Sequence, residues 1–189
     1  AFLNDLTPAL PFSEARAINS SGVIAGAALD RSFAFVWTQA NGLRRITNSS
    51  YGESVAINDA GWVTGCFWFG SDEVDRPFVW NGALLIQPRG AYGGCGRAIN
   101  SSGWIAGNAT FDNETHAFVW NLDSSTDLGT LGGSESSASD INDSGYVVGD
   151  SVTAVGVTHA FVWDGSVMRD LNDLIAPADP LARWRVFRP

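Results

Sequence analysis

The chain of 189 residues contains no lysine: its eleven basic residues are all arginine, set against twenty acidic ones for a formal charge of −9. So acidic a chain lacks the basic face through which nucleic-acid binders engage phosphates, and its charge gives no attraction to an anionic membrane. No apolar run approaches the roughly 18 residues of a membrane span. The opening AFLNDL shows no basic region ahead of an apolar core, so no signal peptide is expected within this chain. Only two histidines occur, and no Gly-x-Ser-x-Gly, so a serine triad would have to draw on His116 or His159. Those two share one repeat position with Phe33 and Arg76, which reads as a slot in a strand. Helical periodicity is missing too, apart from short turns near 172–182.

What is present is glycine and aromatic residues: 21 Gly, 8 Trp and 11 Phe in a chain that is 45% apolar. That composition suits tight turns around a β core, and the length suits one domain. The phrases INSSG, INDAG, INSSG and INDSG open at Asn19, Asn58, Asn100 and Asn142, spaced by 39, 42 and 42 residues. Each carries a glycine three residues on (Gly22, Gly61, Gly103, Gly145) and another four beyond that (Gly26, Gly65, Gly107, Gly149). Each then runs to an FVW phrase ending at Trp37, Trp80, Trp120 or Trp163. Matched markers at one period are the signature of a repeat architecture.

Asn at the first position and Gly at the fourth suit a type I turn closed by a left-handed glycine, which makes the flanking residues a hairpin. Ile24, Val63, Ile105 and Val147 alternate with other residues as in a strand. The glycine midway along that strand predicts a bulge or a closely approaching backbone. FVW supplies a third strand of strong strand formers, and after a turn such as Asn81-Gly82 comes a fourth. The expected fold is therefore all-β: a propeller-like ring of four to five small antiparallel blades. The expected units are a partial one at 1–13, repeats at 14–50, 51–91, 92–133 and 134–176, and a terminal strand at 177–189. LNDL, at Leu3 and Leu171, is read as part of a fourth strand. The chain would then open on a fourth strand and close on a first one, hiding sheet edges if the two ends meet.

The phrases THAFVWDG at 158–165, TDLGTLGG at 126–133 and INDSGYVVG resemble the extracellular HAF-repeat family, over nearly the whole chain. The resemblance implies a bacterial secreted or cell-surface protein built of tandem β-repeats. It transfers no catalytic residue.

Cys66 follows the second strand of the second repeat and Cys95 precedes the first strand of the third, so neighbouring blades make them the candidate disulfide. Without a histidine cluster they are a poor zinc site. No cofactor is expected, although clustered acids leave calcium open. Asp72, Glu73, Asp75, Asp112, Glu114 and Asp140 are the carboxylates available for acid/base chemistry on a glycosidic bond, with Asp72, Asp75, Asp112 and Asp140 as the catalytic candidates. A solvated acidic loop rim is the simpler account of them.

The ligand-binding candidates are aromatic. Trp62, Trp104 and Tyr146 share one position, opposite the aliphatic row, and are either shelves for sugar rings or packing between blades. Phe67, Trp68 and Phe69 in the long loop of the second repeat are expected to be exposed together as a contact patch. The functional expectation is a secreted binding module for carbohydrate or another extracellular polymer. Alternatives are a small polysaccharide hydrolase or lyase using the loop carboxylates, and a structural array within a larger surface protein. Oligomeric state is left open.

Overall fold

The computed structural model describes residues 12–28, 31–47, 51–68 and 73–175. Nearly all of the units expected at 1–13 and 177–189 therefore lie outside the described residues. The first repeat forms β1 (Ser13–Ile18), β2 (Ile24–Ala28), β3 (Phe33–Thr38) and β4 (Gly42–Arg45). The second forms β5 (Gly52–Ile57), β6 (Val63–Trp68), β7 (Asp75–Trp80) and β8 (Leu85–Ile86). The third forms β9 (Tyr92–Ile99), β10 (Ile105–Phe111), β11 (Glu114–Trp120) and β12 (Ser125–Asp127). The fourth forms β13 (Gly132–Ile141), β14 (Val147–Thr153), β15 (Thr158–Trp163) and β16 (Met168–Asp170). Each repeat is thus a four-stranded antiparallel meander paired in chain order, and one parallel bridge, Thr115 to Glu135, links the third sheet to the fourth.

The turns form as their chemistry requires. Gly22, Gly61, Gly103 and Gly145 adopt φ of 77°, 79°, 81° and 81°, in the left-handed region where a side chain is strained. The glycine in each second strand is there for a different reason. A Cβ at Gly107 would lie 2.0 Å from the carbonyl oxygen of Cys95, and one at Gly65 1.9 Å from that of Glu53. The first strand bulges at this point, with register shifts between Ala15 and Ala17, Ser54 and Ala56, and Ala138 and Asp140. The bulge drives its carbonyl toward the neighbouring strand, and only a residue without Cβ leaves room.

The core lies between sheets. Phe35, Phe78, Phe118 and Phe161 are each fully buried, as are Val63, Ile105 and Val147. Ala25, Ala34 and Val36 of the first sheet pack on Val63, Phe78 and Trp80 of the second. Val79 then meets Ile105, Phe118 and Trp120 of the third. In turn Ala106, Ala117 and Val119 meet Val147, Phe161 and Trp163 of the fourth. Each sheet therefore presents small residues to its successor and Phe/Trp to its predecessor, and each buried Phe contributes about 2–3 kcal/mol.

Leu171–Leu174 departs from the fourth-strand reading of LNDL and falls instead with the short helical turns expected near 172–182. It is a short helix, α1, and not a continuation of the fourth strand. Asp170 ends β16 and its carboxylate accepts from the backbone N–H of Asn172, an N-cap that turns the chain into a helical turn. Among the described residues no helix is long and apolar enough to cross a membrane.

Candidate ligand-binding cleft

The asparagines that start each hairpin turn do more than shape it. Asn58 Oδ1 accepts from the Trp62 N–H at 2.9 Å, while its Nδ2 donates to the Asn100 carbonyl of the next sheet at 2.9 Å. Asn19 Nδ2 likewise donates to the Asn58 carbonyl (3.1 Å) and Asn100 Nδ2 to that of Asn142 (3.2 Å). The Ser20 and Ser101 N–H groups add bonds to Asp59 and Asp143, and these hold both carboxyls below their usual range. The turns of all four repeats line one cavity of about 450 Å³ with Asn, Asp, Ser and Ile side chains. Reading Asn as a turn former accounts for one half of its bonds and misses the half that ties sheet to sheet.

The aromatic row above these turns is only partly consumed by packing. Trp62 is half-buried against the Gly103 turn, where a Cβ would lie 2.4 Å from its ring. Trp104 stands off from the Gly145 turn, 3.3 Å from the corresponding point. Tyr146 is 47% exposed. Phe67 corrects the expected contact patch: it is only 5% exposed, edge-on to Phe78 at 5.9 Å, because strand alternation turns it into the core between the first two sheets. Trp68 is half-buried, stacked on Tyr51 at 4.7 Å, and its Nε1 donates to Asp75 at 3.1 Å. Phe69 and Asp72 lie outside the described residues.

Between the third and fourth sheets the packing leaves a cleft of about 270 Å³. Trp104, Trp163 and Val119 form its apolar walls, and Asn121, Thr126 and Ser144 are among its polar groups. Its origin lies in one repeat position. Across each outer hairpin, Val36 faces Arg44, Val79 faces Ile86 and Val119 faces Thr126. At the first junction the Arg44 guanidinium lies 5.0 Å over the Trp80 ring and donates to the Gly82 carbonyl at 3.0 Å, filling the space. Thr126 is too short to cover Trp163 in the same way. Asn121 Oδ1 is taken by the N–H groups of Asp123 and Ser124 at 3.1 and 2.9 Å, which fixes the amide. Its Nδ2 and the Thr126 and Ser144 hydroxyls have no protein partner among the described residues. Two indoles with unengaged donors and acceptors offer an apolar face and a polar rim to one small ring.

Among the described residues the carboxylate candidates sit on three different sheets. Asp75 lies in β7, where burial pushes its carboxyl up despite the Trp68 bond. Asp112 is exposed in the β10–β11 turn at φ 50°, and Asp140 sits in the β13 bulge with Oδ1 accepting from the Ile141 N–H at 2.9 Å. The signature histidines serve the outer strands: His116 Nδ1 is 2.9 Å from Asp127 and His159 Nδ1 2.5 Å from Asp170. A cavity of about 580 Å³ adjoins His159, but no aromatic wall lines it. Cys66 and Cys95 are joined by a disulfide that crosses from β6 to β9.

No family model and no curated protein sequence matches the chain. Among solved structures it is similar to a protein assigned as TolB from Agrobacterium tumefaciens, with TM-score 0.62 and 12% identity over 84% of this chain and 61% of that one. It also aligns with a gluconolactonase from Xanthomonas campestris at TM-score 0.49 and 13% identity, covering 87% and 64% of the two chains. The chain spans less than two thirds of the length of either. The first likeness is one of fold: an all-β chain of antiparallel sheets, of the β-propeller type.

Proposed function

We propose that the chain is a bacterial, secreted or cell-surface binding module of the HAF-repeat kind, recognising carbohydrate or another extracellular polymer through the cleft between its third and fourth sheets. The observation that carries this reading is the pairing of Trp104 and Trp163 with the unengaged amide nitrogen of Asn121 and the hydroxyls of Thr126 and Ser144. Indole faces pack on the C–H faces of sugar rings while hydroxyls and amides meet their edges, and the volume suits a single ring. The sheets are the blades of a propeller-like ring of four to five, a reading supported by the one cavity that all four turns line. The hydrolase or lyase reading has no converging carboxylates behind it among the described residues. No cofactor enters this reading of the cleft.

The test is tryptophan-fluorescence titration with a panel of neutral and acidic polysaccharides and their oligomers. Quenching that saturates in the wild type and disappears in Trp104→Ala, with the circular dichroism unchanged, supports the module; no response to any member of the panel rejects it. A second reading, a structural array within a larger surface protein, is favoured by the same asparagine bond at each of the three described junctions between consecutive sheets. It predicts that chains engineered with additional repeats melt at higher temperature while binding no polysaccharide.

A further inference from the structure

We infer that Cys66, Cys95 and Glu53 form a redox-gated site for a thiophilic divalent cation of the zinc class, filled when the disulfide is reduced and emptied when it forms. The three residues are 2%, 9% and 9% exposed, and their ligand atoms all lie within 4.8 Å of one another. Glu53 faces Cys66 across the β5–β6 ladder, and its Oε1 lies 3.7 Å from the Cys66 sulfur. A disulfide sulfur carries no proton, so this buried oxygen has no donor there in the oxidised chain. The other oxygen makes no hydrogen bond among the described residues but faces two guanidinium charges, with Arg16 Nη2 at 3.0 Å and Arg31 Nε at 3.5 Å from Oε2. A buried carboxylate flanked by guanidinium groups at one oxygen while the other faces two sulfurs is a ligand supported by its outer shell. Two thiolates and one carboxylate oxygen, with water in the fourth position, make a tetrahedral set suited to zinc and unsuited to calcium or magnesium.

The chemistry balances as follows. A phosphine reductant gives two electrons to the S–S bond and takes the oxygen of water as phosphine oxide, and the two hydrogens of that water become the thiol protons. The cation then binds both sulfurs and displaces two protons to solvent. Reoxidation by a small-molecule disulfide takes two electrons from the thiolates, re-forms the S–S bond and removes both sulfur ligands, so the ion leaves. In either state β6 and β9 are tied across the same junction. This inference is independent of the polysaccharide reading.

The test uses the whole chain reduced with tris(carboxyethyl)phosphine and titrated with Cd²⁺, whose thiolate charge-transfer band reports sulfur ligation in the ultraviolet. Reduced protein should bind one equivalent and develop the band, while oxidised protein should develop none. Glu53→Gln, which keeps the side chain's size, should retain the band and weaken binding at least tenfold; an unchanged affinity overturns the three-ligand site. Cys66→Ser should abolish the band. Melting of the reduced chain with and without Zn²⁺ covers the case in which reduction unfolds it: a midpoint raised by Zn²⁺ supports the site, and one that does not move overturns it.

Discussion

The junction between the second and third sheets and the junction between the third and fourth share one backbone plan and end differently. At the first of these Trp62 lies hard on the Gly103 turn and a disulfide crosses from β6 to β9. At the other Trp104 stands farther from its glycine, Thr126 occupies the place of Ile86, and a cleft of about 270 Å³ remains. The repeat dictates the shared parts: the bulge, its glycine, the buried Phe and the asparagine relay. What distinguishes the two is a disulfide on one side and, on the other, side chains that fall outside the repeat. In a repeat array the shared scaffold resides in what recurs, and a cleft opens where one copy omits a filling side chain.

The largest effect should come from breaking a recurrent element. Gly107→Val puts a branched side chain where even a Cβ meets the Cys95 carbonyl at 2.0 Å, and a backbone atom cannot step aside. Loss of more than about 4 kcal/mol is expected, seen as failure to fold or a collapsed denaturant midpoint. Next is the staple of the closed junction. Cys66→Ser with Cys95→Ser opens a loop of sequence separation 29, and about 3–4 kcal/mol should be lost, measured by guanidinium unfolding of the metal-free protein. A double variant as stable as the wild type would mean that packing alone holds these two sheets.

The relay separates the two junctions more finely. Asn100 is 5% exposed, accepts from the Ser102 and Trp104 N–H groups and donates to Asn142 of the next sheet. Asn142 is exposed and accepts the same turn bonds, from Ser144 and Tyr146, with no onward bond from its amide among the described residues. Asn100→Ala should therefore cost about 2–3 kcal/mol and Asn142→Ala about 1 kcal/mol, compared by thermal melts. Equal losses would reduce the asparagine to a turn former.

That role marks the limit of what is legible in the sequence. Asn19, Asn58, Asn100 and Asn142 recur at a fixed period, so their importance is plain, but a turn already explains them. Which neighbour receives the amide depends on how sheets stack, and stacking is not written in any one repeat. The bulge glycines were readable because a glycine inside a strand has few explanations. Phe67 was misread because the repeat departs there: the length of the loop suggested exposure, whereas alternation continues from Val63 and Gly65 and turns Phe67 inward. LNDL at 171–174 reads both as strand phrase and as a start of helical turns, and the helix prevails because Asp170 serves as both the last residue of a strand and a helix cap. The cleft had one sequence signal, Thr126 at a position held elsewhere by Arg44, Ile86 and Arg169, and it becomes visible only once strand register is known.

Exchange at that position is the sharper test of the comparison. Thr126→Arg should lay a guanidinium over Trp163 as Arg44 lies over Trp80, abolishing polysaccharide quenching while stability stays within about 0.5 kcal/mol. Arg44→Thr should do the reverse and uncover Trp80, giving a second, weaker titration. Retained binding in Thr126→Arg would move the site elsewhere.

The smallest expected effect concerns pH. His116 is met by both Asp127 and Glu114 and stacks on Phe111, whereas among the described residues His159 pairs with Asp170 alone. Burial pushes the Asp170 carboxyl up, but bonds from His159 and from the backbone and side chain of Asn172 outweigh it and hold the group below the ordinary carboxylate range. A carboxyl depressed in the folded state contributes stability above its unfolded value, near 4, and that contribution drains away as pH falls through the lower folded value. Urea midpoints taken at intervals from pH 6 to pH 3 should therefore fall more steeply in the wild type than in Asp170→Asn, with the two curves converging at the acid end. Parallel curves would mean that the His159 pair orients the outer strand without linking its stability to protons.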